Sequence, residues 1–329
     1  MNTNERTEAR RGVSDVLRLP RTVTWGLALA LLTAIISGVS VWLNSFGVRE
    51  VPDAALYTTL KNGVAAVILI GALLASSTGP SAVRSLRPGT WRRLAVIGVI
   101  GGSVPFLLFF TGLAQASAPG AAFIHKTMFI WVALLAVPFL GERLGGFQVG
   151  AIALLLVGQL LLAPPRVEGA QLGSGETLIA LATLLWSVEV ILAKRLLASV
   201  PPLVIGAGRL GIGLIVLLAF VLLSGSAGGV ASVTATGWAW VTVTGVMLAA
   251  YVGTWMAALS RAPASAVTSV LVLGAVITAG IQAVAAGASP APAVLVGGLV
   301  LVAAVSVVLI GAVRGASLRR PARLETTDG

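Results

Sequence analysis

The chain is a succession of apolar stretches, most of them about twenty residues long, with short polar connections between them. A bilayer's hydrocarbon core is about 30 Å thick, and a helix needs about 20 apolar residues to cross it. Ten such stretches are read, at about 24–46, 54–75, 92–114, 118–140, 146–163, 174–193, 202–224, 237–259, 264–285 and 291–312. Pro and Gly mark several of the joints: "REVPD", "APPRVEG", "ASVPP", "SGSAGG" and "GASPAP". The expected fold class is an all-α polytopic membrane protein with ten transmembrane helices.

Composition agrees: the chain is 57% hydrophobic and 10% charged, with mean hydropathy +1.00, against about 25% charged in a soluble domain. A net charge of +11 would suggest nucleic acid in a soluble protein. Here no nucleic-acid partner is implied, because cytoplasmic loops of membrane proteins accumulate Arg and Lys. With no cysteine, disulfides, thiol catalysis and Cys-based metal sites are excluded. A single histidine argues against a His-rich metal site. No phosphate-binding loop and no HExxH occurs, so ATP-driven transport and zinc-dependent hydrolysis are not expected, and no cofactor is predicted.

Loop charges set an orientation. With the N-terminus inside, the cytoplasmic side receives Arg6, Arg10, Arg11, Arg18 and Arg21, then Arg84, Arg87, Arg92 and Arg93, then Arg143, Lys194, Arg195 and Arg261, and finally Arg314, Arg319, Arg320 and Arg323. The outer side receives only Arg49 and Arg166. The expectation is N-in, C-in, in a cell (inner) membrane. Residues 1–22 and 314–329, polar and Arg-rich, read as disordered cytoplasmic tails without a signal-peptide pattern.

The two halves, 23–164 and 165–313, resemble each other. "LKNGVAAVIL" (60–69) aligns with "GRLGIGLIVL" (208–217), and "LAQASAPGA" (113–121) with "LSRAPASAV" (259–267). Each half reads as five spans. An odd number per repeat turns the second half upside down, and inverted repeats are a transporter architecture with the substrate site near the midplane.

The segment "FFTGLAQASAPGAAFIHKTMFIWVALLAVPFLGERLGGFQVGAIALLLVGQLLLAPP" resembles the drug/metabolite transporter superfamily in its EamA-like, ten-span branch. Leu140-Gly141-Glu142-Arg143-Leu144 and Gly150…Gly158 occupy the family's "lGErl" and glycine positions. "LSRAPASAVTSVLVLGAVITAG" matches the corresponding turn and span of the second half, whereas "AAGASPAP" stands where a second "GE" is often found. The resemblance covers about residues 25–312 and implies secondary transport of small metabolites, often export.

Four charges fall inside spans: Lys61, Lys126, Glu189 and Arg209. Each is costly in a bilayer, about 3 kcal/mol on insertion scales, so each is expected to face a partner or water. Lys61 and Lys126 lie about eight residues from an outer helix end, roughly 12 Å deep. Glu189 and Arg209 share the inner half, where they can pair and gate or couple transport. Glu50 and Asp53 are near enough in sequence to reach toward Lys61. Lys126 aligns with Val272, and His125 and Thr127 align with Leu271 and Leu273, so this polar triplet is not a requirement of the repeat. Lys126 and His125 are therefore the leading substrate-binding candidates, followed by Lys61, Asn44, Trp42, Tyr57, Tyr251 and Trp255. Asn44 and Trp42 sit where the family often carries an Asn and an aromatic. Trp186 lies one turn before Glu189, and Glu142 reads as a helix-end or loop-pairing residue.

The expected function is a non-enzymatic secondary transporter moving amino-acid-like or organic-acid metabolites, in the efflux direction, by alternating access. Its expected partners are a small-molecule substrate and the lipid bilayer, with protons as candidate coupling ion and a homo-oligomer as candidate assembly. The alternatives are a membrane enzyme using His125, or a non-transporting scaffold or sensor.

Overall fold

A computed structural model describes residues 21–51, 53–113, 115–116, 123–162, 173–287 and 289–318. Most of the two expected tails, 1–20 and 319–329, lies outside the described residues. The described residues are helical, with no strand among them. In chain order they form α1 (Arg21–Glu50), α2 (Ala54–Ala75), the short α3 (Gly79–Arg84), α4 (Pro88–Gly102), α5 (Val104–Leu113), α6 (Met128–Leu140), α7 (Gly146–Leu162), α8 (Ser174–Leu196) and α9 (Pro202–Leu223). A 3-10 turn (Ser226–Ser232) leads to α10 (Ala235–Leu259), α11 (Ala264–Leu271), α12 (Leu273–Ala285) and α13 (Pro292–Leu318).

Joined across local breaks, these make nine helices among the described residues that are long and apolar enough to span a bilayer. The stretch read at 146–163 is α7, apolar but only 17 residues, or about 25 Å. Helix α13 runs on to Leu318, past the residue 313 expected to close the second repeat.

Helix ends follow local chemistry. Asp53 caps α2 by accepting from the Leu56 amide at 2.8 Å, and Thr234 caps α10 through the Gly237 amide at 3.1 Å. Helix α6 stops at Gly141, whose φ of 65° suits a residue without Cβ.

Three spans are interrupted. In the third, Pro105 has no amide hydrogen, so helix α4 yields to α5 at Ser103. The Ser103 hydroxyl donates back to the Val99 carbonyl at 3.0 Å. In the fourth, the helix running from Phe123 breaks at Thr127 before α6 begins, and the Thr127 hydroxyl donates to the Ile124 carbonyl at 2.7 Å. In the ninth, α11 and α12 meet at Val272, in a corresponding place of the second half.

Packing respects an exchange of the two halves. Helix α1 lies along α10, as α8 lies along α5; α1 meets α12, as α8 meets α6; α2 meets α10, as α9 meets α4. Helices α2 and α9, and α7 and α13, each pack on their own counterpart, and the two broken spans cross each other where α6 meets α11. The crossings are close because small residues allow backbone approach. Gly102 faces the Arg209 carbonyl and Gly213 so tightly that neither glycine has room for a Cβ.

The outer surface is apolar: Val67, Leu74, Ile215, Leu223 and Leu299 all stand exposed. The interior instead holds Lys61, Asn62, Glu189 and Arg209, all buried. This reversal of the soluble pattern is what a lipid solvent requires. Trp25, Trp91 and Trp238 are exposed near helix ends, where indoles anchor at the membrane interface.

Gly102→Ala should therefore force α4 and α9 apart at a cost of about 1–3 kcal/mol. Gly71→Ala, with nothing within 4 Å of the added carbon, should be nearly neutral. Unfolding midpoints of the two variants in detergent micelles would check this difference.

Candidate functional site

Tyr57 and Lys61 are one turn apart on α2 and share a face turned inward. Lys61 Nζ donates to Asn44 Oδ1 of α1 at 2.8 Å and lies 4.9 Å from the centroid of the Phe110 ring. The Tyr57 hydroxyl sits 2.9 Å from both Asn44 Oδ1 and Thr244 Oγ1. Asn44 Nδ2 donates to the Ser40 carbonyl at 2.7 Å, and the Thr244 hydroxyl to the Trp240 carbonyl at 2.7 Å. Gly47 leaves room for the phenol, since a Cβ there would stand 2.5 Å from the hydroxyl. The ammonium of Lys61 is thus held by an amide oxygen and aromatic faces, a cation–π arrangement. Asp53, expected to reach toward Lys61, instead caps its own helix and accepts from Ser226 Oγ at 3.2 Å.

Phe110 leads toward the centre. It packs on Phe109 with centroids 5.4 Å apart, and Phe109 meets the His125 ring at 5.3 Å. Trp186 of α8 closes the group at 5.0 Å from His125 and 5.2 Å from Phe106. Its indole Nε1 donates to the Gly101 carbonyl at 3.1 Å. That carbonyl belongs to the residue four before Pro105, the acceptor that a proline leaves without its helical donor. Trp186 therefore satisfies the broken third span and walls His125 at once.

His125 and Lys126 stand at the Thr127 break, where the fourth span crosses α11. A small crevice there is lined by His125, Lys126, Met128, Phe129, Thr268, Leu271 and Val272. His125 Nδ1 is buried without a hydrogen-bond partner among the described residues. Lys126, half-buried, makes no hydrogen bond or ion pair with any described residue.

One helix layer away, Glu189 and Arg209 are 1% and 5% exposed, with Arg209 Nε 3.3 Å from Glu189 Oε1. The two are an ion pair by distance but are not aligned for a hydrogen bond. Glu189 Oε1, Arg209 Nε and Arg209 Nη1 have no such partner among the described residues. A buried pair held this way is poorly compensated for its lost hydration. Tyr251 of α10 stacks on Trp255 with centroids 6.0 Å apart. Trp42 is not brought to these groups: it meets Phe46, which is exposed and stacks on Trp240.

Toward the other end, Glu142 accepts from the Ala264 amide at 2.6 Å, the Ser265 amide at 3.2 Å and the Ser265 hydroxyl, capping α11. Lys194 donates to the Leu259 carbonyl at 2.5 Å and the Ala262 carbonyl at 2.8 Å. No group of three His, Asp or Glu side chains among the described residues could hold a metal.

The sequence reading did not select Phe106, Phe109 and Phe110, Thr244, or the capping role of Lys194. The phenylalanines were signalled by their i, i+3, i+4 spacing in "VPFLLFF", which sets all three near one helix face. Thr244 and Lys194 act through residues distant in the chain, and no local pattern marks them.

Two equivalent halves of long apolar helices, with buried charges collected between them, define a multi-pass membrane transporter by class. The chain belongs to the EamA-like transporter family, whose profile matches residues 24–163 and 173–310, once in each half. It is 32% identical to an uncharacterized transporter in the cobO 3' region of a Sinorhizobium species, over 135 residues that make up 41% of this chain and 93% of that protein. A crystal structure of another protein, 20% identical, has the same fold with a TM-score of 0.70 over 87% of this chain and 98% of the other.

Asn44→Ala should destabilise the protein by about 1.5–3 kcal/mol, because it leaves the Lys61 ammonium buried without its acceptor. Lys61→Met, which removes the charge as well, should cost less. Unfolding in micelles would order the two; a larger loss for Lys61→Met would show that Asn44 does not support the ammonium.

Proposed function

We propose that the protein is a secondary transporter exporting small amino-acid-like or organic-acid metabolites across the inner membrane by alternating access. In this reading all ten apolar stretches span, α7 included, with both termini inside and the halves inverted about the membrane plane. The observation that carries the reading is Lys126: a half-buried cation at a helix break, at the crossing of equivalent helices, with no protein anion to meet it among the described residues. Broken helices at midplane crossings are where transporters of this architecture bind cargo. A carboxylate arriving there offsets a charge that costs about 3 kcal/mol to hold in a membrane.

His125, Lys61, Asn44 and Tyr57 extend the polar path from Lys126 toward the outer end, with Tyr251 and Trp255 beside the inner pair. Glu189 and Arg209 are the coupling elements. A proton taken up by Glu189 removes its attraction for the guanidinium, which frees Arg209 to move with the helices of the second half. His125, ringed by Phe109 and Trp186 and with no carboxylate among the described residues to orient its ring, is better suited to lining a passage than to acid–base catalysis.

The test is flux of labelled amino acids and organic acids into proteoliposomes, with and without a pH gradient. Lys126→Gln should lower flux of an anionic or zwitterionic substrate at least tenfold, and Glu189→Gln should abolish the response to the gradient. Wild-type flux in Lys126→Gln would remove the anion-binding role.

A further inference from the structure

Both ends of the bundle are clasped in the same way. At one end Gly26 of α1 lies against the turn after α10, its missing Cβ 2.8 Å from Arg261 Cβ and 2.9 Å from Ala262 Cβ. At the other end Gly175 of α8 lies against the turn after α5, its missing Cβ 2.9 Å from the Ala116 amide nitrogen and 3.0 Å from the Gln115 carbonyl carbon. Residues 115–116 and 261–262 are equivalent in the two repeats, so the glycine clasp is a property of the repeat.

The contacts added to the clasp are not the same at the two ends. At the Gly175 end the added contact is neutral, the Ser174 hydroxyl donating to Gln115 Oε1 at 2.8 Å. At the Gly26 end two charged side chains, one on α8 and one just past α6, seize the turn. Lys194 of α8 holds the carbonyl end of α10 through Leu259 and Ala262. Glu142, just past α6, holds the amide end of α11 through Ala264 and Ser265. Each charge sits at the helix terminus of complementary sign. The repeat supplies no equivalent of Glu142 elsewhere: the matching stretch "AAGASPAP" contains no acid.

We infer that Glu142 and Lys194 are the latch of a gate at the Gly26 end, which is the cytoplasmic end in the orientation proposed above. Opening that end requires the turn between α10 and α11 to leave α6 and α8, and so requires both charges to release their backbone partners. Among the described residues the opposite end has its glycine clasp and one neutral bond, so it opens first. The latch holds the empty protein closed to the cytoplasm, and it rests on the transport reading.

Because the chain has no cysteine, a single introduced thiol reports accessibility directly. Ser269 on α11 is 1% exposed and lines a crevice behind the latch with Ser265 and Gln148. Ser269→Cys would be placed in the wild-type background, in Glu142→Gln and in Lys194→Met. Each would be exposed to a membrane-impermeant maleimide on the cytoplasmic face of inside-out vesicles. The expected result is labelling at least fivefold faster in both latch variants than in the parent, with monodisperse elution confirming that each is folded. If Glu142→Gln fails to fold, Lys194→Met alone decides. Labelling at the parental rate in every folded latch variant overturns the latch. Flux measured in parallel separates the two ideas. Faster labelling in a protein that carries none of the solutes supports the latch and counts against the transport reading. Flux in the parent with unchanged labelling overturns the latch alone.

Discussion

A bilayer offers no water to an unpaired amide or carbonyl, and each one left open in hydrocarbon costs several kcal/mol. The architecture obeys that shortage. Helices satisfy their own backbones, so the described spans are helical, and where one is interrupted the freed groups must be met from elsewhere. The third span shows the solution most fully. Pro105 removes a donor, Gly101 is left with an open carbonyl, and the Trp186 indole crosses from another helix to fill it. The same indole then forms one side of the aromatic group around His125. A break in one helix, its repair by a second and the lining of the polar centre are one arrangement.

The same shortage weighs on the charges. Lys61 is accommodated, among the described residues, without a carboxylate, by one amide oxygen and two rings. Glu189 and Arg209 have each other at 3.3 Å, yet Glu189 Oε1, Arg209 Nε and Arg209 Nη1 find no hydrogen-bond partner among the described residues. Replacing such a pair with apolar groups is often neutral or stabilising, whereas losing one partner typically costs about 3–5 kcal/mol. Stability alone therefore gives little reason to keep it. A pair that is poorly bonded in one arrangement is a pair that another arrangement, or a ligand, can use.

Much of the fold was legible because lipid imposes one length and one polarity on every span. Places where the sequence reading was short trace to structure that length and polarity do not encode. Helix α1 continues to Glu50 beyond its apolar run, because a helix can project past the hydrocarbon once its polar end reaches water. The break at Thr127 has no proline to announce it, while the break at Ser103 had Pro105 in plain view. In the site, charged residues in spans were conspicuous because they are rare there. Asp53 was the misleading case: its place beside the second span suggested a partner for Lys61, but a residue directly before a helix satisfies that helix's own amides first. Asn44 was selected on resemblance and turns out to be the group that receives the Lys61 ammonium.

Three contacts in this protein set a span against its own counterpart: α2 on α9, α7 on α13, and the fourth span on the span made by α11 and α12, where α6 meets α11. Such contacts are those of an isologous dimer, in which any residue on the axis must face another copy of itself. Were the halves separate identical chains, a lysine at the position of Lys126 would confront a second lysine across the crossing. Two like charges there would repel each other in a medium that screens poorly. Joining the halves in one polypeptide removes that constraint. The position facing Lys126 is free to be Val272, and a pseudo-symmetric frame can carry a single cation on its axis.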